Sequence, residues 1–354
     1  MYNLAEAGKN SAIRYWESAP TEFPHYLNGF NGTWAISDHS RIPEVILEFL
    51  LEHFRSRLGE VRKGHVKAIP LNEINDDFVK YQRDRSQSDF EISRNLEINK
   101  NTYIAKNQNF LIKNNVNLQL NNGAILFIQG NIKFEGLSDS KIYIKSDGSG
   151  SIIFENNNVI IKHTNIENLG YPKLNQYILY GGLNFINSNV VLENILIKDS
   201  KSEDAINLIN SNTLLKNIFL ENIESDAIDI DFGSVNFNTI NCLNIRNDCL
   251  DISGSKVLVF KNVFQNFGDK GLSIGEQAEL IVASNQFDNN KQGIAVKDGS
   301  TACILNNSFT DNNRDVISYV KKKMYGKPKY EIHDDDQAPL SLLAIRTYEG
   351  CSFE

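Results

Sequence analysis

From Ala205 onward the chain repeats a short apolar unit every 22 residues: Ala205-Ile206-Asn207-Leu208, Ala227-Ile228-Asp229-Ile230, Cys249-Leu250-Asp251-Ile252, Gly271-Leu272-Ser273-Ile274 and Gly293-Ile294-Ala295-Val296. Apolar and polar positions alternate within each unit, as in a strand with one face turned to a core. Ile206, Ile228, Leu250, Leu272 and Ile294 then share that face with Leu208, Ile230, Ile252, Ile274 and Val296. A repeat this short cannot hold a helical pair, and the leucine-rich consensus LxxLxLxxN is missing. The pattern therefore predicts a β-solenoid whose coils stack at the strand spacing of about 4.8 Å.

Other columns keep the same period. Leu220, Cys242 and Phe264 form one, continued by Phe287 and Phe309 after a one-residue insertion. Asn222, Asn244 and Asn266 form a polar column, in which stacked amides bond from coil to coil and asparagine tolerates a left-handed turn. Less regular apolar runs at 124–128, 141–145, 151–154, 159–162 and 183–186 read as earlier coils, and residues 171–182 as a longer loop leaving the stack. The fold class is an all-β solenoid, a right-handed single-stranded parallel β-helix of about ten coils over residues 96–316. A small α-rich region and linker at 1–95 precede it, and a tail at 317–354 follows.

The N-terminal assignment rests on a change of composition near residue 95. Before it lie Trp16 and Trp34, four of the seven prolines and four of the six histidines. Residues 41–62 place Val45, Ile46, Phe49, Leu50, Phe54 and Leu58 at helical spacing, with Pro43 in the first turn after a Ser40 cap. Residues 72–89 are polar and read as a linker or a loose helix.

A formal charge of −8 argues against a nucleic-acid surface, which needs clustered Lys and Arg. The one basic cluster, Lys321, Lys322 and Lys323, reads as solvated. No apolar stretch approaches the roughly 18 residues that span a membrane, and no charged-then-apolar leader opens the chain. The fold favours an extracellular or cell-envelope setting, as one part of a larger surface protein, over the cytoplasm. Cys242, Cys249, Cys303 and Cys351 show no metal-binding spacing, and the three inside the repeats read as small core or turn residues rather than disulfides.

Candidate chemistry lies on the outward positions of the repeat. One line runs Asp204, Asp226, Asp248, Lys270, Gln292, and a second runs Asn207, Asp229, Asp251, Ser273, Ala295, with Asp231 beside them. Like charges at strand spacing call for a cation, a proton or a basic side chain. A Ca²⁺ ion could be shared by Asp226, Asp229, Asp248 and Asp251. Alternatively, one carboxyl keeps its proton and serves as a general acid beside an ionised partner, or Lys270 neutralises Asp248. The bland reading is a row of solvated turn caps. Asp226, Asp248 and Lys270 are thus the candidate catalytic residues, and Asp229, Asp231 and Asp251 the candidate metal ligands. His163 and His333 stand alone, Asp334, Asp335 and Asp336 read as a solvated tail, and no nucleophile-elbow or zinc-protease motif occurs.

The stretches SDAIDID (225–231), NDCLDIS (247–253), GDKGLSIGE (268–276), QGIAVKDGS (292–300) and KKKMYGKPKY (321–330) resemble the β-helix domain of bacterial surface proteins that often lies beside a spore-coat-kinase-like (CotH) domain. That resemblance spans residues 103–330 and implies the fold and a surface role. More distantly, the coils are similar to polygalacturonase-type glycoside hydrolases, whose NTD, DD, GHG and RIK elements fall on Glu224-Ser225-Asp226, Asn247-Asp248, Asp269-Lys270-Gly271 and Lys291-Gln292-Gly293. The similarity implies Asp226 and Asp248 as acid and base, although Asn247 replaces the first Asp, Lys270 replaces the His and the RIK element is missing. Similarity to pectate-lyase-like enzymes implies instead Lys270 as the base beside Asp-bound Ca²⁺. The expected function is interaction with an extended polysaccharide, cleaving an acidic glycan by elimination or hydrolysis on the outer face. The alternative is a non-catalytic cell-envelope scaffold or carbohydrate-binding module. A groove with aromatic walls would mark the enzyme, and Tyr177 and Tyr180 in the long loop are the nearby aromatic candidates.

Overall fold

The computed structural model describes residues 89–333 except Asn107 and residues 174–178, together with the strands Asn3–Leu4, Trp34–Ala35 and Val79–Lys80. The helix expected at 41–62, Tyr177 and the acidic run 334–336 lie outside the described residues. The chain divides into units 1–67 and 68–354. In the first, Asn3–Leu4 pairs antiparallel with Trp34–Ala35.

The second unit is a parallel β-helix. An 11-stranded sheet runs from Val79–Lys80 to Val316–Tyr319, one strand per coil, and a 17-stranded sheet carries the remaining strands. The 22-residue columns pair as the repeat predicts: Ile206 with Ile228, Ile228 with Leu250, Leu250 with Leu272, and Leu272 with Ile294. The coil containing the 171–182 loop is longer, with Asn158 opposite Asn189. The Phe column also forms, Phe287 stacking on Phe264 at 4.7 Å and on Phe309 at 5.1 Å.

Each coil turns at corners where the backbone adopts positive φ, a conformation that asparagine tolerates better than most side chains. Asn222, Asn244 and Asn266 occupy one corner column at φ 56°, 56° and 60°. Their amides form the expected ladder: Asn244 Nδ2 donates to Asn222 Oδ1 at 3.2 Å, and Asn289 to Asn266 at 2.7 Å. His163 belongs to another corner, at φ 45° with its ring 3.4 Å from the Asn194 amide. That placement gives the isolated histidine a structural position.

Two expectations need correction. The solenoid extends past 96–316, because Asp89–Ile92 pairs with Asn109–Lys113, Val316–Tyr319 with Gln292–Lys297, and Lys329–His333 with Thr301–Leu305. In the last of these strands Tyr330 and Ile332 remain exposed, so the segment reads as tail although its backbone continues the ladder. The cysteines are also disulfide-bonded: Cys242 pairs with Cys249 across a corner, and Cys303 is in a disulfide as well. All three are buried, so their packing was legible and their covalent state was not.

Candidate functional site

Asn207, Asp229 and Asp251 alternate with the core positions and face outward; the line of Asp204, Asp226, Asp248 and Lys270 stands at the strand entries, where two successive residues, such as Ala205 and Ile206, both pack into the core, and Asp204 meets the Asn207 amide on the outer side. The register brings the three candidate catalytic residues onto consecutive coils. Asp226 Oδ1 accepts the Asp248 backbone N–H and the Asn247 side-chain amide, each at 2.7 Å. Asp248 Oδ1 accepts the backbone N–H of Lys270 at 2.9 Å, and Lys270 Nζ lies 3.3 Å from both Asp248 carboxylate oxygens. Lys270 Nζ also bonds the Asp269 carboxylate, which in turn pairs with Lys291 at 3.3 Å. In the neighbouring line, Asn207 Nδ2 donates to Asp204 at 3.1 Å and to Asp229 at 2.8 Å.

These side chains are not bathed in solvent. Asp204, Asp229, Asp231, Asp248 and Lys270 are all buried, and Asp226 and Asp251 are half-buried. The bland reading of solvated turn caps fails on this point, because burial makes the repulsion between neighbouring carboxylates costly.

Burial is the main reason that Asp226 is pushed up to about 7, with the charge of Asp248 adding to it. Burial likewise pushes Asp248 up to about 6, assisted by Asp251 and opposed by Lys270. For Lys270, burial pulls downward, but Asp248 and Asp269 outweigh it and the ammonium is held above the ordinary lysine range. Lys270 thus stands as a cation between the Asp248 and Asp269 carboxylates. The adjacent Asp269 is held below the usual carboxylate range by Lys270 and Lys291 despite its burial.

Two of the carboxylates expected to share a calcium ion already face lysines. Asp248 is engaged by Lys270, and Lys297 Nζ stands 3.9 Å from Asp251. Among the described residues, no group of three or more His, Cys, Asp or Glu is arranged to hold a metal ion. Lysine thus supplies a cation to Asp248 and to Asp251.

Two contributors to the site, and one buried carboxyl elsewhere on the sheet, escaped the sequence reading. Asp269 and Lys297 fall outside the two aligned lines, in the adjoining columns of Asn247 and of Asp231. Glu155 sits in the apolar strand Ser151–Glu155, opposite Ile186, so it has no acidic column to announce it. It is wholly buried, and burial pushes it up to about 7 despite a 2.5 Å hydrogen bond from Gln129. Tyr180 is half-buried, and its carbonyl accepts the Asp204 N–H at 3.2 Å, which puts the end of the long loop beside the acidic line.

The raised carboxyls have a consequence for stability. A folded pKa above the unfolded value of about 4 adds stability that is complete below that pH and lost as pH rises through the folded pKa, here about 6 to 7. Asn at both positions keeps the acceptor oxygens and removes the titration. Relative to the Asp226→Asn/Asp248→Asn variant, the wild-type protein should therefore lose on the order of 2 kcal/mol between about pH 5 and pH 8. Denaturant unfolding at the two pH values measures this, and parallel behaviour of the two proteins would refute the shifts.

Residues 187–327 match the family described as right handed beta helix region. The solenoid accordingly has the hand expected from its repeat. No curated protein matches the chain. Among solved structures, a mutant of the periplasmic alginate epimerase AlgG aligns at 12% identity and a TM-score of 0.38, covering 69% of this chain and 71% of that one. An alginate lyase from Paenibacillus sp. str. FPU-7 aligns at 11% identity and a TM-score of 0.31, covering 69% of this chain and all of its own.

Proposed function

We propose that this protein hydrolyses glycosidic bonds of an extended polysaccharide, with Asp226 as general acid and Asp248 as base on the outer face of the 11-stranded sheet. The observation that carries this reading is the pair itself. Two carboxyls on adjacent coils sit in unlike surroundings, Asp226 among amide donors and Asp248 against an ammonium. Both titrate near neutrality, Asp226 at about 7 and Asp248 at about 6, so a protonated acid and an ionised base coexist in that range. Because the two interact, these values describe the pair. An acidic glycan remains in the substrate class, since Lys270, Lys291 and Lys297 set positive charge around the pair.

Disulfides persist in oxidising compartments, so the Cys242–Cys249 bond supports an extracellular or envelope setting. No described helix is long and apolar enough to cross a membrane.

Binding without cleavage is the second reading, and a different feature favours it. A surface concavity of about 520 Å³ on the other sheet is lined by the amides of Asn158, Asn189 and Asn212 and by Val191 and Leu214. Such a surface offers hydrogen bonds and an apolar floor to a sugar chain.

Incubation with a panel of neutral and acidic polysaccharides, following new reducing ends and unsaturated products separately, tests the proposal. New reducing ends without unsaturation are expected. Unsaturated products would replace hydrolysis with elimination, and retention of a glycan without any turnover would favour the second reading.

A further inference from the structure

We infer that the Cys242–Cys249 disulfide is a positioning element for the Asp226–Asp248 pair, clamping the corner that delivers Asn247 and Asp248 to Asp226. The inference rests on the acid–base reading above and adds to it the covalent bond that sets the geometry.

The bond joins the end of the strand Ser234–Ile245 to the residue preceding Leu250–Ser253, with a sequence separation of 7 and Cα atoms 6.2 Å apart. Both cysteines are buried in the core, at 2% and 0% exposure. The residues they enclose include Asn247 and Asp248, the two donors to Asp226 Oδ1. Cys249 is the immediate neighbour of Asp248, and its own backbone is tied to both adjoining coils. Its carbonyl accepts the Ile228 N–H at 3.0 Å, and its N–H donates to the Lys270 carbonyl at 3.0 Å.

The same two columns need no cross-link elsewhere. One coil earlier they hold Leu220 and Ala227, and one coil later Phe264 and Gly271, pairs that fill the core by packing alone. The covalent bond falls on the coil that carries Asp248. Its corner includes Asn244 at φ 56°, whose amide bonds the Asn222 corner one coil earlier. Misplacing a reacting group by about 1 Å can cost roughly a hundredfold in rate, so a staple at this corner has a functional use that it lacks on other coils. It follows that the pair is fully assembled only after the chain reaches an oxidising compartment.

The test compares the full-length protein with a Cys242→Ala/Cys249→Ala variant. A second variant, Cys242→Leu with Cys249→Ala, installs the residues used one coil earlier and keeps the core filled if the first does not fold. Amide hydrogen exchange at Asp248 and Lys270, together with the carboxyl ¹³C resonance of Asp226, reports the site without any substrate. Exchange at those two amides is expected to rise by roughly tenfold or more, with a shifted Asp226 resonance and unaltered exchange at Ile206 and Ile294. Unchanged protection at Asp248, or faster exchange spread evenly along the solenoid, would overturn the inference and leave an ordinary structural cross-link. Because no glycan enters the measurement, a local loss of protection in a protein that cleaves nothing would sink the hydrolase reading and leave the positioning role standing.

Discussion

Asp248→Asn is expected to lower kcat on the cleaved glycan by roughly 10³-fold, because asparagine can neither take up a proton nor attack as a carboxylate. The substitution preserves shape and the acceptor for the Lys270 N–H, so the loss reads chemistry rather than misfolding. Asp226→Asn removes the acid instead, and its effect should depend on the leaving group. On an aryl glycoside that departs without protonation, Asp226→Asn should be mild while Asp248→Asn stays severe. The wild-type rate should rise with pH through the titration of Asp248 at about 6 and fall through that of Asp226 at about 7. Each variant should lose its own limb of that profile. A profile that keeps both limbs in both variants would remove these carboxylates from the mechanism.

The largest effect on stability is expected from Phe287→Ala. Phe287 is fully buried and sandwiched between Phe264 at 4.7 Å and Phe309 at 5.1 Å. Removing a buried Phe side chain typically costs about 3–5 kcal/mol, the spread reflecting how far the surroundings collapse into the cavity. Collapse is restricted here, because the facing wall is backbone: a Cβ on Gly271 would already lie 2.9 Å from the Phe287 ring. In a stack where each coil touches only its neighbours, the loss also weakens two interfaces at once. Equilibrium unfolding in denaturant measures it, and a cost near 1 kcal/mol would show that the column is more plastic than its stacking suggests.

That column also shows what could be read from the chain. A fixed 22-residue period made strand faces, corner asparagines and coil register legible, since each column repeats one environment many times. Where the column residue becomes Phe, the facing position changes from Ala205 and Ala227 to Gly271 and Gly293, a size exchange that is visible in the sequence and confirmed by the close approach of the rings. The acidic lines were legible for the same reason. Their burial was not, because a repeated position says that an environment recurs and nothing about how much solvent reaches it. The lysine answer to the acidic charge was half legible: Lys270 stands in the column, whereas Lys297 reaches Asp251 by the length of its side chain. Glu155 and the disulfides carry no periodic signal, and the limits of the stack were missed where terminal strands leave apolar residues exposed.

The unequal placement of the acid pair along the 11-stranded sheet bears on what products would look like. Rungs of a parallel sheet are spaced by about 4.8 Å, so the sheet works as a ruler. Asp226 opens the seventh strand counted from Val79–Lys80, and after the strand Leu250–Ser253 only Lys270–Gly275, Gln292–Lys297 and Val316–Tyr319 remain. A polymer lying along the axis would thus meet about twice as many rungs before the scissile position as after it. Under the proposed hydrolysis, an off-centre pair would leave the longer stretch of bound polymer on the N-terminal rungs.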